Sequence, residues 1–178
     1  MVRESMFNII NLVRELINDP LDPESQFNDE EIQARLDMTR EWVVEELTPL
    51  PLPDGSATKW QAQRKYWETD LRLSDPAGTA IEPITSDPNS GYFEFPESQG
   101  AVTATGFCYD VYAASAELLT LWAGRIEQDI TEFSADGSSY KFTGAANAKL
   151  ALAERYRAKS LAIGGIKTIR MVRDDHAY

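Results

Sequence analysis

Few residues in this chain have the type and spacing for catalysis. His176 is the only histidine and lies two residues from the end of the sequence, where chain ends are seldom held in a fixed geometry. Cys108 is the only cysteine, and no histidine or basic residue lies beside it, so we expect a buried thiol and not a nucleophile. A single cysteine also excludes an internal disulfide and a cysteine-based zinc site. Neither a glycine-rich phosphate loop nor a GxSxG motif is present.

Carboxylates are abundant, and a carboxylate-dependent hydrolase or nuclease is therefore one alternative. The clearest acidic pairs, Glu45 with Glu46 and Asp174 with Asp175, are adjacent in sequence. Successive residues on a helix or a strand point apart, so neither pair forms a convergent site by itself. We therefore expect no enzymatic activity, no cofactor and no bound metal ion.

Four aromatic residues in the middle of the chain could stack on sugars or bases. They are Trp60, Tyr66, Trp67 and Tyr92. An exposed group of such rings would be a binding platform, which makes a carbohydrate-binding or accessory module the main alternative function. The other interpretation places the same rings in the core of a small β-subdomain.

Composition and charge favour a globular protein with an uneven charge distribution. The 178 residues are 43% hydrophobic, and no run of eighteen apolar residues predicts a membrane span. Residues 141–173 contain eight basic residues and one acid, which gives +7, whereas residues 1–140 contain nine basic residues and twenty-six acids, which gives −17. An acidic body repels the nucleic-acid backbone. The basic end is either a solvated helix face or a tail that docks on an acidic surface, such as that of a neighbouring copy.

Helical spacing predicts four helices, at 5–17, 28–47, 107–130 and 145–163. Asn28 and Glu31 have the spacing of a capping box at the start of the second helix. Met38 and Trp42 widen the apolar face of that helix. The third helix has a narrow waist of small residues, where another helix can pack closely. The residues assigned to this packing are Ala113, Ala114, Ala116, Leu118 and Trp122.

Between the second and third helices, residues 50–105 predict a small antiparallel β-subdomain. Short strand-like stretches such as DLRLS, GYFEFP and AVTATG are separated by turn residues. A further β-hairpin is expected at 132–142, EFSADGSSYKF, between the last two helices. Asp136 and Gly137 suit a type I′ turn, and Phe133, Tyr140 and Phe142 would anchor its base.

The C-terminal residues predict an extended tail. Gly164 and Gly165 end the fourth helix, and IKTIRMVR follows as a strand-prone segment without a local partner. The predicted fold is therefore α+β but mainly α: a bundle of about four helices with one inserted β-subdomain, a hairpin and a tail. Its parts are 1–49 for the N-terminal helices, 50–105 for the β-subdomain, 106–163 for the C-terminal helices and 164–178 for the tail.

Several sequence patterns together resemble the head–tail connector adaptors of tailed bacteriophages, which form a ring beneath the portal. The patterns are GFCYDVYAASAELLTLWAGRI, EFSADGSSYKF, ALAERYRA and IKTIRMVRDD. The resemblance implies a structural protein of the virion neck, assembled in the host cytoplasm, in a ring of about twelve copies. Its partners would be further copies of itself, the portal protein and another neck or tail protein, with double-stranded DNA only as passing cargo and with no membrane.

The resemblance also assigns contacts to particular residues. The hairpin residues Phe133, Asp136, Gly137, Tyr140 and Phe142 would contact a neighbouring copy or the next tail component. The tail would reach the portal, and strand addition to a partner's sheet would satisfy its backbone. The residues assigned to the portal are Gly164, Gly165, Ile166, Lys167, Ile169, Arg170, Met171, Val172 and Arg173. Within the same setting, the aromatic-platform alternative would be a tail accessory protein.

Overall fold

The computed structural model describes residues 1–19, 25–50, 52, 53, 55–132 and 139–163. Within these ranges the helices are α1 Phe7–Ile17, α2 Asp29–Asp37, α3 Val111–Glu132 and α4 Ser139–Ile163, with a 3-10 turn at Glu4–Met6. The strands are β1 Glu41–Glu46, β2 Thr48–Leu50, β3 Lys59–Gln61, β4 Arg72–Ser74, β5 Thr85–Asp87, β6 Tyr92–Glu94 and β7 Thr103–Cys108. They form two antiparallel sheets, in the orders β1-β7-β4 and β2-β3-β6-β5.

The prediction of a mainly helical bundle with one small sheet is wrong. The second helix ends at Asp37, and the second half of its predicted range forms β1 and β2. Trp42, Val43 and Val44 are strand-favouring residues, and β1 pairs along its whole length with β7, with Glu41 opposite Cys108 and Glu46 opposite Thr103. The pairing with β7 decides the structure here, because local spacing alone is compatible with a helix.

The last two helices also differ from the prediction. Strand β7 continues to Cys108, so α3 begins at Val111, and the Asp110 carboxylate accepts hydrogen bonds from the backbone N–H groups of Tyr112 and Ala113. Since α4 begins at Ser139, Tyr140 and Phe142 lie in a helix and not in the predicted hairpin. Once a helix has formed, each further residue that joins it adds one backbone hydrogen bond, which favours a longer helix.

Some predicted features lie outside the described residues. The turn of the predicted hairpin falls in 133–138, which includes Phe133, Asp136 and Gly137. The whole predicted tail, 164–178, also lies outside them. No helix in the described ranges has both the length and the apolarity needed to cross a bilayer.

One hydrophobic core joins the four helices. The first helix places an apolar stripe against α2 and α3, whose residues Ile32, Leu36 and Leu118 are buried; the stripe consists of Met6, Ile9, Ile10, Val13 and Ile17, which are fully buried, and Leu16, which is half-buried. The predicted capping box at the start of α2 is confirmed: Asn28 Oδ1 accepts from the Glu31 N–H at 2.8 Å, and Glu31 Oε2 accepts from the Asn28 N–H at 2.9 Å. α3 packs most extensively on α4. We call this core the helical core.

A second core lies between the sheets, and we call it the β core. The buried residues that form it are Leu47, Trp60, Ala62, Trp67, Leu73, Phe93, Phe95, Val102, Ala104 and Cys108. Within 50–105, β4, β6 and β7 begin in the predicted stretches DLRLS, GYFEFP and AVTATG. Gly106 in β7 allows the close approach of the chain at Leu71, because an added Cβ would lie 2.9 Å from the Leu71 Cβ atom. The β core therefore depends on backbone proximity as well as on large side chains.

Candidate interaction surface at the β1 edge

β1 forms one edge of its sheet, because β7 is its neighbour on one side only. Antiparallel pairing with one neighbour uses the backbone groups of alternate residues and leaves the others pointing away from the sheet. A cleft of about 250 Å³ follows β1 and is lined by residues 41–45 together with Gln63 and Arg64. Since successive side chains point to opposite faces, a cleft lined by five consecutive residues runs along the edge of the strand. We call this feature the β1 cleft.

Trp42 and Val44 form an exposed apolar face on β1. The two side chains are 58% and 65% exposed, and they share one face because they are two residues apart. Trp42 packs edge-on against Phe107, its partner in β7, with ring centroids 4.7 Å apart. On the opposite face, Val43 packs against the β core. Single exposed apolar residues are common, but here two neighbours lie on one open strand.

Acidic residues hold the other side of the β1 cleft in place. The Glu45 carboxylate accepts hydrogen bonds from the backbone N–H groups of Gln63 and Arg64. Glu41 pairs with the Arg64 guanidinium at 3.1 Å. These contacts fasten the chain at 63–64 beside β1. These contacts therefore fix the shape of the β1 cleft, which has carboxylates along it.

A buried ionic cluster connects this surface to the helical core. Glu68 is almost fully buried, and its carboxylate oxygens lie 3.0 Å from Arg3 Nε and 3.5 Å from the Arg40 guanidinium. Arg3 also pairs with Asp37, and this hydrogen bond raises the pKa of Arg3 above its ordinary value. The Arg40 guanidinium lies 3.4 Å from the centre of the Phe107 ring. The same arginine therefore contacts both the ionic cluster and the aromatic pair on the sheet.

The titratable groups near this cluster have the features of structural residues. Burial raises the pKa of the Tyr109 hydroxyl, and its hydrogen bond to Glu68 raises it further. Burial likewise raises the pKa of the Cys108 thiol to about 12, so the thiol is protonated at neutral pH and is a poor nucleophile. Within the described ranges, no three His, Cys, Asp or Glu residues are grouped so that they could hold a metal ion.

The aromatic residues predicted as a platform are mostly internal. Trp60 and Trp67 are buried in the β core, and their indole N–H groups donate to the carbonyls of Ala57 at 3.0 Å and Arg64 at 3.1 Å. The Tyr92 hydroxyl donates to Glu94. Tyr66 has a positive φ of 61° and packs against Tyr112 with ring centroids 6.2 Å apart. Neither predicted indole presents a face to a ligand.

The residues predicted for helix packing line the contact of α3 with the rest of the helical core. Ala114, Ala116 and Leu118 are fully buried, and Ala113 is half-buried. Trp122 packs edge-on against Phe27, and the Lys149 ammonium of α4 lies 3.2 Å from the centre of the Trp122 ring. The predicted hairpin and tail residues contribute no described side chain to any site.

The sequence prediction for Trp42 and Met38 is wrong. Both are predicted on the apolar face of a helix, but Trp42 lies exposed on β1, and Met38 is also exposed, just after α2. The signal that could have revealed this strand is the run of strand-favouring residues Trp42, Val43 and Val44 before Thr48 and Pro49.

Comparison with known proteins found no match to this chain among family models, curated proteins or solved structures.

Proposed function

We propose that this protein is a structural adaptor of a phage head–tail connector, which forms a ring between the portal and the next neck or tail component and lines the DNA exit channel. The observation that carries the proposal is the β1 edge, where Trp42 and Val44 are exposed beside an open strand. The sequence patterns that resemble connector adaptors supply the identity of the assembly. The protein acts through contacts with other proteins and uses no cofactor.

The β1 edge has features that favour protein–protein contact. Tryptophan is enriched at interface centres, where it often dominates the binding energy. An open strand edge offers backbone groups that a partner strand can pair with. Both features occur within the six residues of β1. Trp42 and the free edge together suit a partner that presents an extended segment.

The charge distribution supports a ring built from head-to-tail contacts. The acidic part of the chain includes the exposed Glu41 on β1, while Arg155 and Arg157 are exposed on α4. A contact between two different surfaces of identical copies closes into a ring when its rotation allows. Acidic residues on the inner wall of such a ring would keep passing DNA from binding, because like charges repel.

The tail supplies the portal contact in this proposal. Residues 164–173 begin with Gly164 and Gly165, which we expect to act as a hinge, and include the basic residues Lys167, Arg170 and Arg173. We expect a chain that ends after Ile163 to stay folded and to lose binding to the portal protein of the same phage. Normal portal binding by the shortened chain would contradict this part of the proposal.

The ring contact is tested by Val44→Asp with Ile84→Asp as a matched control. Both residues are aliphatic and similarly exposed, at 65% and 64%, but Ile84 lies next to the other sheet. The measurement is the mass of the assembled species on the purified portal, by mass photometry. We expect Val44→Asp to reduce ring assembly at least tenfold and Ile84→Asp to leave it unchanged. Equal assembly by the two variants would show that β1 takes no part in the ring.

A further inference from the structure

The end of α4 lies beside the start of β1. Ser160, near the end of α4, donates a hydrogen bond from its hydroxyl to the Asp110 carboxylate at 2.6 Å. The Asp110 backbone N–H in turn donates to the Thr39 hydroxyl at 3.2 Å. Thr39 is two residues before Glu41, the first residue of β1. The end of α4 therefore lies close to the N-terminal end of the open strand.

The remaining sequence is long enough to run along β1. Residues 164–178 follow α4, and an extended chain spans about 3.3 Å per residue. β1 has six residues and is therefore about 20 Å long. Gly164 and Gly165 can adopt the backbone angles of a sharp reversal, because they lack a Cβ. A chain that starts at the first residue of β1 and runs to its last would be parallel to it.

We propose that, in the free protein, residues 168–173 of the same chain add to the open edge of β1 as a parallel strand. In this register Ile169 and Met171 lie on the face of Trp42 and Val44 and cover their exposed side chains. The tail matches β1 on this face, because the apolar Ile169 and Met171 lie opposite the apolar Trp42 and Val44. The occupant of the β1 edge in the free chain is therefore its own tail.

Charge complementarity selects the same register. Arg173 lies beside Glu46 at the end of β1. Arg170 lies on the other face, beside Val43 and between Glu41 and Glu45. A shift by one residue moves every tail side chain to the opposite face, which would place Arg170 against Trp42 and Arg173 beside Glu45, whose carboxylate already accepts hydrogen bonds from the N–H groups of Gln63 and Arg64. Acids and bases at these positions therefore favour one register over its neighbours.

The short connection favours the contact within one chain over the same contact between chains. A short flexible linker holds its ends together at an effective concentration in the millimolar range. A free protein at micromolar concentration would therefore dock its own tail first. This inference goes beyond the adaptor proposal and does not require it, since it concerns the isolated chain. If the protein is an adaptor, portal binding would have to release the tail from β1.

The first test is disulfide formation in the full-length chain, with Val44→Cys combined with Met171→Cys. Cys108 stays in place because it is buried and its thiol is protonated, and Val44→Cys alone checks that it does not react. The control pair combines Val44→Cys with Arg170→Cys, which puts the second thiol on the opposite face. At a few micromolar protein, we expect the first pair to form an intramolecular disulfide at least ten times faster than the control pair, as measured on non-reducing gels.

Three results would overturn the inference: equal rates for the two pairs, no disulfide in either, or a disulfide-linked dimer as the main product. The last result would show that the tail docks on a second copy. All of these assays use the isolated chain without portal. A failure here therefore leaves the ring assay with Val44→Asp and Ile84→Asp unaffected, and a failure of that assay leaves the disulfide result unaffected.

The second test measures the accessibility of Trp42 by acrylamide quenching of tryptophan fluorescence. Trp60 and Trp67 are buried and Trp122 is half-buried; these three are the same in every variant, so a difference in quenching between variants reports Trp42. We expect Ile169→Glu to increase the quenching constant about twofold, because it removes the residue that covers Trp42. The matched control Ile166→Glu changes a residue that precedes the paired register and should leave quenching unchanged. Equal quenching of the two variants and the unmodified chain would contradict the proposed contact.

Discussion

Ile10 in α1 and Val44 in β1 are both β-branched aliphatic residues, yet Ile10 is fully buried and Val44 is 65% exposed. The helical core covers the apolar stripe of α1 with residues from the three other helices. β1 covers only one of its faces, through Val43, and leaves Trp42 and Val44 open. The difference indicates that apolar residues stabilise the fold in the helices and serve contact on β1.

We expect Ile10→Ala to lower the free energy of unfolding much more than Val44→Ala does. We expect Ile10→Ala to lower the free energy of unfolding by about 3 kcal/mol, because it leaves a cavity in a fully packed core. Val44→Ala should change it by about 0.5 kcal/mol or less, as is usual for exposed positions. Urea unfolding followed by circular dichroism measures both values. A loss near 3 kcal/mol in both variants would mean that the face of Val44 is covered in the isolated chain more tightly than a docked tail can explain.

The ionic cluster around Glu68 connects the two regions, and removing its charge should weaken both. We expect Glu68→Gln to lower the free energy of unfolding by about 2 kcal/mol, because it takes the carboxylate from Arg3 and Arg40 at a buried position. The two arginines keep partial contact with solvent, which limits the loss. Glu127→Gln, at an exposed position on α3, is the control. Similar losses for the two variants would show that the cluster has no special role.

Local sequence patterns predicted much of the helical core but not the sheet that carries the candidate surface. The apolar stripe of α1 and the Asn28 capping box depend on residues within one or two turns, so spacing alone is sufficient. β1 instead depends on β7, about sixty residues later in the chain. Ile32, Leu36, Val43 and Leu47 happen to keep helical spacing through this stretch. Helical spacing therefore predicts Trp42 on a buried helix face, and the local signal against it is the short strand-favouring run Trp42, Val43 and Val44.

For Cys108, in contrast, the sequence predicts the buried environment correctly. The structure adds the effect of that burial on the pKa of the thiol. The thiol was expected to be buried, and it lies in the β core. Burial raises its pKa from 9.0 to about 12. Because the folded-state pKa is the higher one, ionisation favours the unfolded chain. The stability that this thiol contributes is complete below pH 9 and is lost as the pH rises from 9 to 12.

Comparison of the unmodified chain with Cys108→Ala isolates the pH-dependent stability that the thiol contributes, which is the smallest of the expected effects. Between pH 8 and pH 10, we expect the unmodified chain to lose about 1 kcal/mol more stability than the variant. Tyr66, Tyr109 and Tyr156 also have raised pKa values, but both proteins contain them, so their contribution cancels in the difference. Urea midpoints at pH 8, 9 and 10 measure it. Parallel pH curves for the two proteins would mean that the thiol reaches solvent and that the β core beneath β1 is less closed than the helical core.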